Sequence, residues 1–298
     1  MASRTLTILS IIILFLSCET QKVKSSITYD QILLRNPEVY IFLGHSYASG
    51  HKVDKRIGKI WQTNHHYWLG GDICQNTTNE VKIFQNLDKI FDIKDADTHW
   101  ALGNHDFHKT FKPIKAFTGK PEYYATYIKG ITLLVMNSNI MENGFTCEEK
   151  RAQTDFIASV LDTVESSSHL IVMSHHIFWG RMNEDTAPVK TYANTDHSGR
   201  MWKCNPKLTA ADILYPKLEE IMKKEIQVIL LAGDMGQKQS AYEYRNENGI
   251  MFLGNGGLSD ILYNNEKFPK ASTADSVLVF THYPDHQLLK WKFINVGN

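Results

Sequence analysis

Five short apolar runs in this sequence each end in glycine or serine and then in side chains that can bind a metal. Residues 39–43 lead into Gly44-His45-Ser46-Tyr47, and Trp68-Leu69 leads into Gly70-Gly71-Asp72. Residues 100–102 lead into Gly103-Asn104-His105-Asp106, and residues 170–173 into Ser174-His175-His176. Residues 228–232 lead into Gly233-Asp234-Met235-Gly236. Carboxylates, an amide oxygen and imidazoles make a mixed oxygen and nitrogen donor set. Such a set suits Mn, Fe or Zn better than a purely hard or purely soft ion. One such run would carry little information; five in succession carry much more.

For these groups to act together, the runs must be strands whose ends converge. A fully buried strand reads as a short apolar run bounded by turn signals. Open α/β sheets bind ligands just beyond the carboxyl ends of their strands, where glycine lets the backbone turn sharply and approach a ligand closely. Between the second and third runs, Val81, Phe84, Leu87, Ile90 and Phe91 share one helical face. That helix is the right-handed crossover that joins two parallel strands. Residues 147–164 carry Phe156, Ile157, Val160, Leu161 and Val164 at helical spacing, and residues 209–225 read as one helix capped by Thr209. Residues 113–127 read as a turn and an edge strand, residues 131–136 as a strand and residues 137–146 as a loop. Residues 250–253, ending in Gly254-Asn255-Gly256-Gly257, read as one more strand end at the rim of the site. Residues 277–281 and 288–293 alternate and read as strands of a second sheet. Residues 178–205 form a long irregular stretch with Trp179, Arg181 and Arg200, read as a lid over an anionic substrate or as a surface excursion.

The succession GD, GNHD, a His-His strand end and a last apolar strand ending in GD resembles the calcineurin-like metallophosphoesterase superfamily, over roughly residues 39–257. The resemblance implies an α/β fold, a four-layer α/β/β/α sandwich of two mixed β-sheets flanked by helices. It implies hydrolysis of a phosphomonoester or phosphodiester, in a small molecule or a phosphorylated substrate, with one or two divalent or trivalent Mn, Fe or Zn ions. The implied metal ligands are His45, Asp72, Asn104, His175 and Asp234. His105 is then the residue that contacts the phosphate and protonates the leaving oxygen, a role worth roughly 10²–10⁴ in rate. Asp106 holds that imidazole or caps the following turn, and His176 faces the substrate or stacks in the wall. Arg56 is a candidate for a bidentate phosphate contact. The motifs depart from the family at two places. The family opens with Asp-x-His, where this chain has His45 and Tyr47; it closes with Gly-His-x-His, where this chain has Gly233-Asp234-Met235-Gly236. One imidazole and one carboxylate have exchanged places, and two ligand positions have gone to Tyr47 and Gly236. The departures leave open a non-catalytic metal- or phosphate-binding protein derived from such an enzyme.

With 298 residues, 43% of them hydrophobic, the chain can bury a sizeable core. Zero formal net charge argues against a surface for nucleic acid or for non-specific binding to anionic membranes. At the start, Arg4 precedes an apolar run at residues 6–16, short for a membrane span and suited to a signal sequence. It ends in Phe15-Leu16-Ser17-Cys18, which resembles a bacterial lipobox. Residues 1–18 are therefore expected to be a lipoprotein-type signal, residues 19–37 a tether and residues 38–298 the functional domain. This implies export to the cell envelope and a lipid anchor on Cys18; an ordinary cleaved signal is the alternative. Without Cys18, three cysteines remain and allow at most one bridge. Cys147 with Cys204 is the expected pair, both lying in polar segments. Oligomeric state is left open.

Overall fold

Apolar runs buried on both faces set the layering of the chain. The computed structural model describes residues 36–49, 52–54, 56–57, 65–73, 80–107, 110–141, 145–179, 204, 210–235, 240–256 and 275–296. They belong to Asn36–Asn298, the second of two units, the first being Met1–Arg35. The expected leader, Cys18, Cys74, Gly236 and most of residues 178–205 lie outside the described residues.

In chain order the strands are β1 (Glu38–Leu43), β2 (Tyr47–Ser49), β3 (Lys52–Val53), β4 (His66–Leu69), β5 (His99–Trp100), β6 (Tyr124–Ile128) and β7 (Ile131–Val135). They continue as β8 (His169–Ser174), β9 (Gln227–Ala232), β10 (Ala241–Arg245), β11 (Met251–Asn255), β12 (Ser276–Tyr283) and β13 (Leu288–Asn295). One sheet has the order β13-β12-β1-β4-β5, the other β10-β11-β9-β8-β7-β6. In the first, β1, β4 and β5 run parallel and β12 pairs antiparallel with β1. In the second, β7, β8, β9 and β11 run parallel, with antiparallel β6 and β10 at the edges.

Side chains alternate faces along a strand, and each strand feeds two cores. Tyr40 and Phe42 of β1 meet Ile229 and Leu231 of β9 between the sheets. Ile41 and Leu43 face outward onto Phe84, Leu87 and Phe91 of α1 (Val81–Phe91). After the short α2 (Asn104–Phe107), α3 (Lys112–Thr118) adds Ile114 to the same outer layer. On the far side, α4 (Cys147–Thr163), α5 (Ala210–Ile213) and α6 (Tyr215–Met222) cover the second sheet, where Ile157, Leu161, Leu218 and Ile221 pack on Val172 and Leu230. The result is the expected four-layer α/β/β/α sandwich of two mixed sheets.

The structure corrects several local expectations. The last two strands belong to the first sheet, with Leu278 opposite Phe42 and Phe280 opposite Tyr40. Alternation reports a half-buried strand but not its partner. The turn expected from residue 113 is α3, because Pro113 falls in a first helical turn, where its missing N–H is not needed. The single helix expected over residues 209–225 is two, α5 and α6, broken where the ring of Pro216 excludes a continuous turn. Residues 138–141 of the expected loop form a buried 3₁₀ turn. Cys147 and Cys204 are bonded, closing a sequence separation of 57 residues; by loop-closure entropy this is worth about 4 kcal/mol. Cys147 opens α4 rather than lying in a loop.

Two buried histidines make stability depend on acid. Burial pushes His99 and His169 down to about 4, helped by Lys120 at His99 and by His282 at His169. Their unfolded values lie near ~6.5, so on acidification the unfolded chain takes up these protons first. The stability they permit is whole above about pH 6.5 and is lost as pH falls toward about 4. Denaturant titrations should give an unfolding free energy that declines over this window, with a shallower decline in His169→Asn. An unchanged slope in the variant would contradict the assignment.

Candidate metal centre

The carboxyl ends of the two sheets touch backbone to backbone. A Cβ on Gly233 would stand 1.9 Å from the carbonyl oxygen of Gly70, so only glycine allows β9 to end against β4. His45, Asp72 and Asp234 follow these glycine turns and are all buried, as is His175 at the end of β8. His45 and Asp72 hold φ of 44° and 51°. This left-handed region is sparsely used by non-glycine residues, although His and Asp enter it more than most. Such strain costs on the order of 1–3 kcal/mol per residue and persists where the surroundings impose it.

The four side chains converge. His45 Nε2 lies 2.8 Å from Asp72 Oδ2 and 3.4 Å from Asp234 Oδ1. His175 Nε2 lies 3.4 Å from Asp72 Oδ2. His45, His175 and Asp234 each offer a donor atom within 4.8 Å of the others. The orientation of His175 is fixed from behind: its Nδ1–H donates to the Gly70 carbonyl at 2.7 Å. A carbonyl only accepts, so Nδ1 carries the proton and Nε2 turns inward. That nitrogen is buried and makes no well-formed hydrogen bond, only the 3.4 Å approach to Asp72. A buried polar atom so poorly matched asks for an explanation, and a metal would supply one, since ligating histidines commonly give their other N–H to a carbonyl.

Electrostatics agree. Burial works against charge on His175, but Asp72 and then Asp234 outweigh it and raise the imidazole to about 10. His45 is likewise raised against its burial, chiefly by Asp72. Asp72 is held well below the usual carboxylate range because His175 and His45 outweigh its burial. These carboxylates hold protons on the imidazoles in the place where a cation would sit. Binding an ion there releases those protons.

Asp106 holds two of the turns together. Its carboxylate accepts from the backbone N–H of Asp72 at 2.6 Å, Ile73 at 3.1 Å and Gly103 at 3.0 Å, and from Trp100 Nε1 at 3.2 Å. Asp72 Oδ1 in turn accepts the His105 backbone N–H at 2.9 Å. Asp106→Ala would leave four donors without this acceptor, each costing about 1–3 kcal/mol if it stays unpaired. Chemical denaturation should register a loss of several kcal/mol, and a change below about 1 kcal/mol would contradict this role.

The other sequence-chosen residues are distributed as follows. His105 and Asn104 share α2; His105 is half-buried, and the Asn104 side chain is exposed. The ring of His176 stacks edge-on to that of His175 at 4.6 Å. Arg56 is engaged elsewhere, 3.0 Å from Asp54 and 2.8 Å from Asp275. Two residues beyond the chosen set support the centre. Ser138 Oγ lies 2.9 Å from His176 Nδ1 and accepts the His176 backbone N–H at 3.0 Å. Asn255 Oδ1 accepts the Gly44 N–H at 3.1 Å, and its amide donates to the Ser240 and Ser276 carbonyls. Both obey the same sequence rule as the chosen residues, a polar group just after an apolar run.

No family model matches this sequence, and no curated protein matches it. Among solved structures, GAP50, described as the anchor in the inner membrane complex of Plasmodium, superposes with a TM-score of 0.54 at 11% identity, over 87% of this chain and 85% of that one. Vacuolar protein sorting 29 from Cryptosporidium parvum matches with a TM-score of 0.38 at 10% identity, over 87% and 97%. A phosphoesterase from Streptococcus pneumoniae, so named by prediction, matches with a TM-score of 0.32 at 11% identity, over 87% and 99%. At these identities the likeness is one of fold: the chain shares a four-layer α/β/β/α architecture and carries a buried histidine and aspartate cluster at the strand ends.

Proposed function

We propose that this chain hydrolyses a phosphate ester with the help of a metal ion held by His45, Asp72, His175 and Asp234. The observation that carries this reading is the convergence of His45, His175 and Asp234, with Asp72 beside both imidazoles. A bound ion would bring the pKa of a water toward ~7 and screen the phosphoryl oxygens. The chain supplies the rest. Asp72 and Asp106 fix the geometry of the GD and GNHD turns. His105, half-buried and tied to Asp72 through its backbone N–H, would protonate the leaving oxygen. His176, pinned through Ser138, forms a wall next to His175. Arg56, already matched to Asp54 and Asp275, is better suited to bracing its loop than to holding a phosphate.

A second reading, a binder without turnover, is favoured by the exposed Asn104 side chain and by the likeness in fold to a chain described as an anchor. The two readings separate in one assay. Chelator-treated protein should cleave 4-nitrophenyl phosphate or bis(4-nitrophenyl) phosphate only after Mn, Fe or Zn is restored. An ion bound with no turnover of either ester would favour the binder. We place the protein in the cell envelope, anchored through Cys18. The apolar run at residues 6–16 and the Cys147–Cys204 bond, of a kind that persists in oxidising compartments, support this.

A further inference from the structure

The fold type and the mixed donor set leave open one ion or two. We infer that this centre takes a single ion, bound through the Nε2 atoms of His45 and His175 and one oxygen each of Asp72 and Asp234, with Asn104 outside the ligand set. The inference rests on the metal part of the reading above and not on hydrolysis.

The first argument is spacing. Protein nitrogen and oxygen ligands bind such ions at about 2.0–2.2 Å, so donors around one ion stand about 2.8–3.5 Å apart. The donor separations here are 2.8, 3.4 and 3.4 Å. His45, His175 and Asp234 thus bring three donors within 4.8 Å of one another before any ion is considered, with an Asp72 oxygen beside both imidazoles.

The second argument is supply. Paired ions sit about 3.5–4 Å apart, and the second needs donors of its own beyond a shared carboxylate. Asp72 Oδ1 accepts the His105 backbone N–H. Asp106 is filled by four N–H donors. Asp54 and Asp275 are paired with Arg56. His176 Nδ1 meets Ser138. Asn104 is exposed to solvent, whereas His45, Asp72, His175 and Asp234 are buried. Among the described residues, His45, His175 and Asp234 are the one group of three histidines, cysteines or acids spaced to hold an ion. The sequence changes point the same way. His45 brings an imidazole and Asp234 a carboxylate into one cluster, while Tyr47 and Gly236 stand where further ligands would be expected.

The test needs no activity. Metal-free protein is loaded with Mn²⁺, desalted and analysed for ions per chain, and its electron paramagnetic resonance spectrum is recorded. One ion per chain with the six-line signal of isolated Mn²⁺ is expected. Titration of Asn104→Ala should give an affinity within about threefold of the parent, and His45→Ala one at least about 100-fold weaker, as for loss of a ligand. Two ions per chain, a spin-coupled multiline spectrum, or a large loss of affinity in Asn104→Ala would overturn the inference, as would no binding of Mn, Fe or Zn. One bound ion without ester hydrolysis would leave the inference standing and remove the proposed enzymatic function instead.

Discussion

Replacing Asp72 with alanine is expected to abolish metal binding and ester hydrolysis together, with affinity weakened at least about 100-fold, or roughly 2.7 kcal/mol. Asp72 is the hinge of the centre. Its Oδ2 is 2.8 Å from His45 and 3.4 Å from His175, and its Oδ1 anchors the backbone of the GNHD turn at His105. One side chain therefore sets the position of two imidazoles and of the turn that carries His105. Asp72→Asn separates these duties. It keeps an oxygen for the His105 N–H and the shape of the site but loses the charge, so it should retain most of the fold and little of the affinity. Calorimetric titration with Mn²⁺ or Zn²⁺, run beside the ester assay, measures both. Affinity within about threefold of the parent in Asp72→Ala would show that the ion, if any, binds elsewhere.

A large loss of stability is also expected from Gly233→Ala. Its Cβ would lie 1.9 Å from the Gly70 carbonyl oxygen and 2.6 Å from the Gly70 carbonyl carbon. Those are backbone atoms at the end of β4, which cannot swing aside as a side chain can. Overpacking costs typically about 1–3 kcal/mol and more where the backbone must move. Here the two sheets would have to part at the level of the metal ligands, so a loss of at least about 3 kcal/mol should come with loss of metal binding. Gly119 is the internal control. It has φ of 73°, but a Cβ there meets nothing within 4 Å. Gly119→Ala pays only the left-handed strain, roughly 1–2 kcal/mol, and should bind metal normally. Denaturation midpoints of the two variants test the contrast; equal midpoints would contradict it.

The reason the glycine matters explains what could be read from the sequence. The five strand ends were legible because strands buried on both faces are short, apolar and closed by glycine, and because ligands gather at such ends. Layering followed, since α1 buries Phe84, Leu87 and Phe91 of the stripe read from the sequence; Val81, read onto that face, is exposed, and Ile83 is buried instead. Pairing was not legible. The apolar alternation of β12 fits any sheet, and only the register with β1 decides which. The centre was read by residue type, and its non-local braces escaped. Asp106 was visible as a polar residue, yet its three backbone donors lie up to 34 positions away. Arg56 looked like a phosphate clamp because its partner Asp275 is far along the chain. Ser138 and Asn255 were hidden in the same way, in segments read as a loop and as the rim of the site.

The most direct measurement is anomalous diffraction at the metal absorption edge from crystals grown with Zn²⁺ or Mn²⁺. The expected map has its strongest protein-bound peak enclosed by His45, Asp72, His175 and Asp234, within ~2.3 Å of a donor atom from each. A peak elsewhere, or none among these four side chains at saturating ion, would contradict the account.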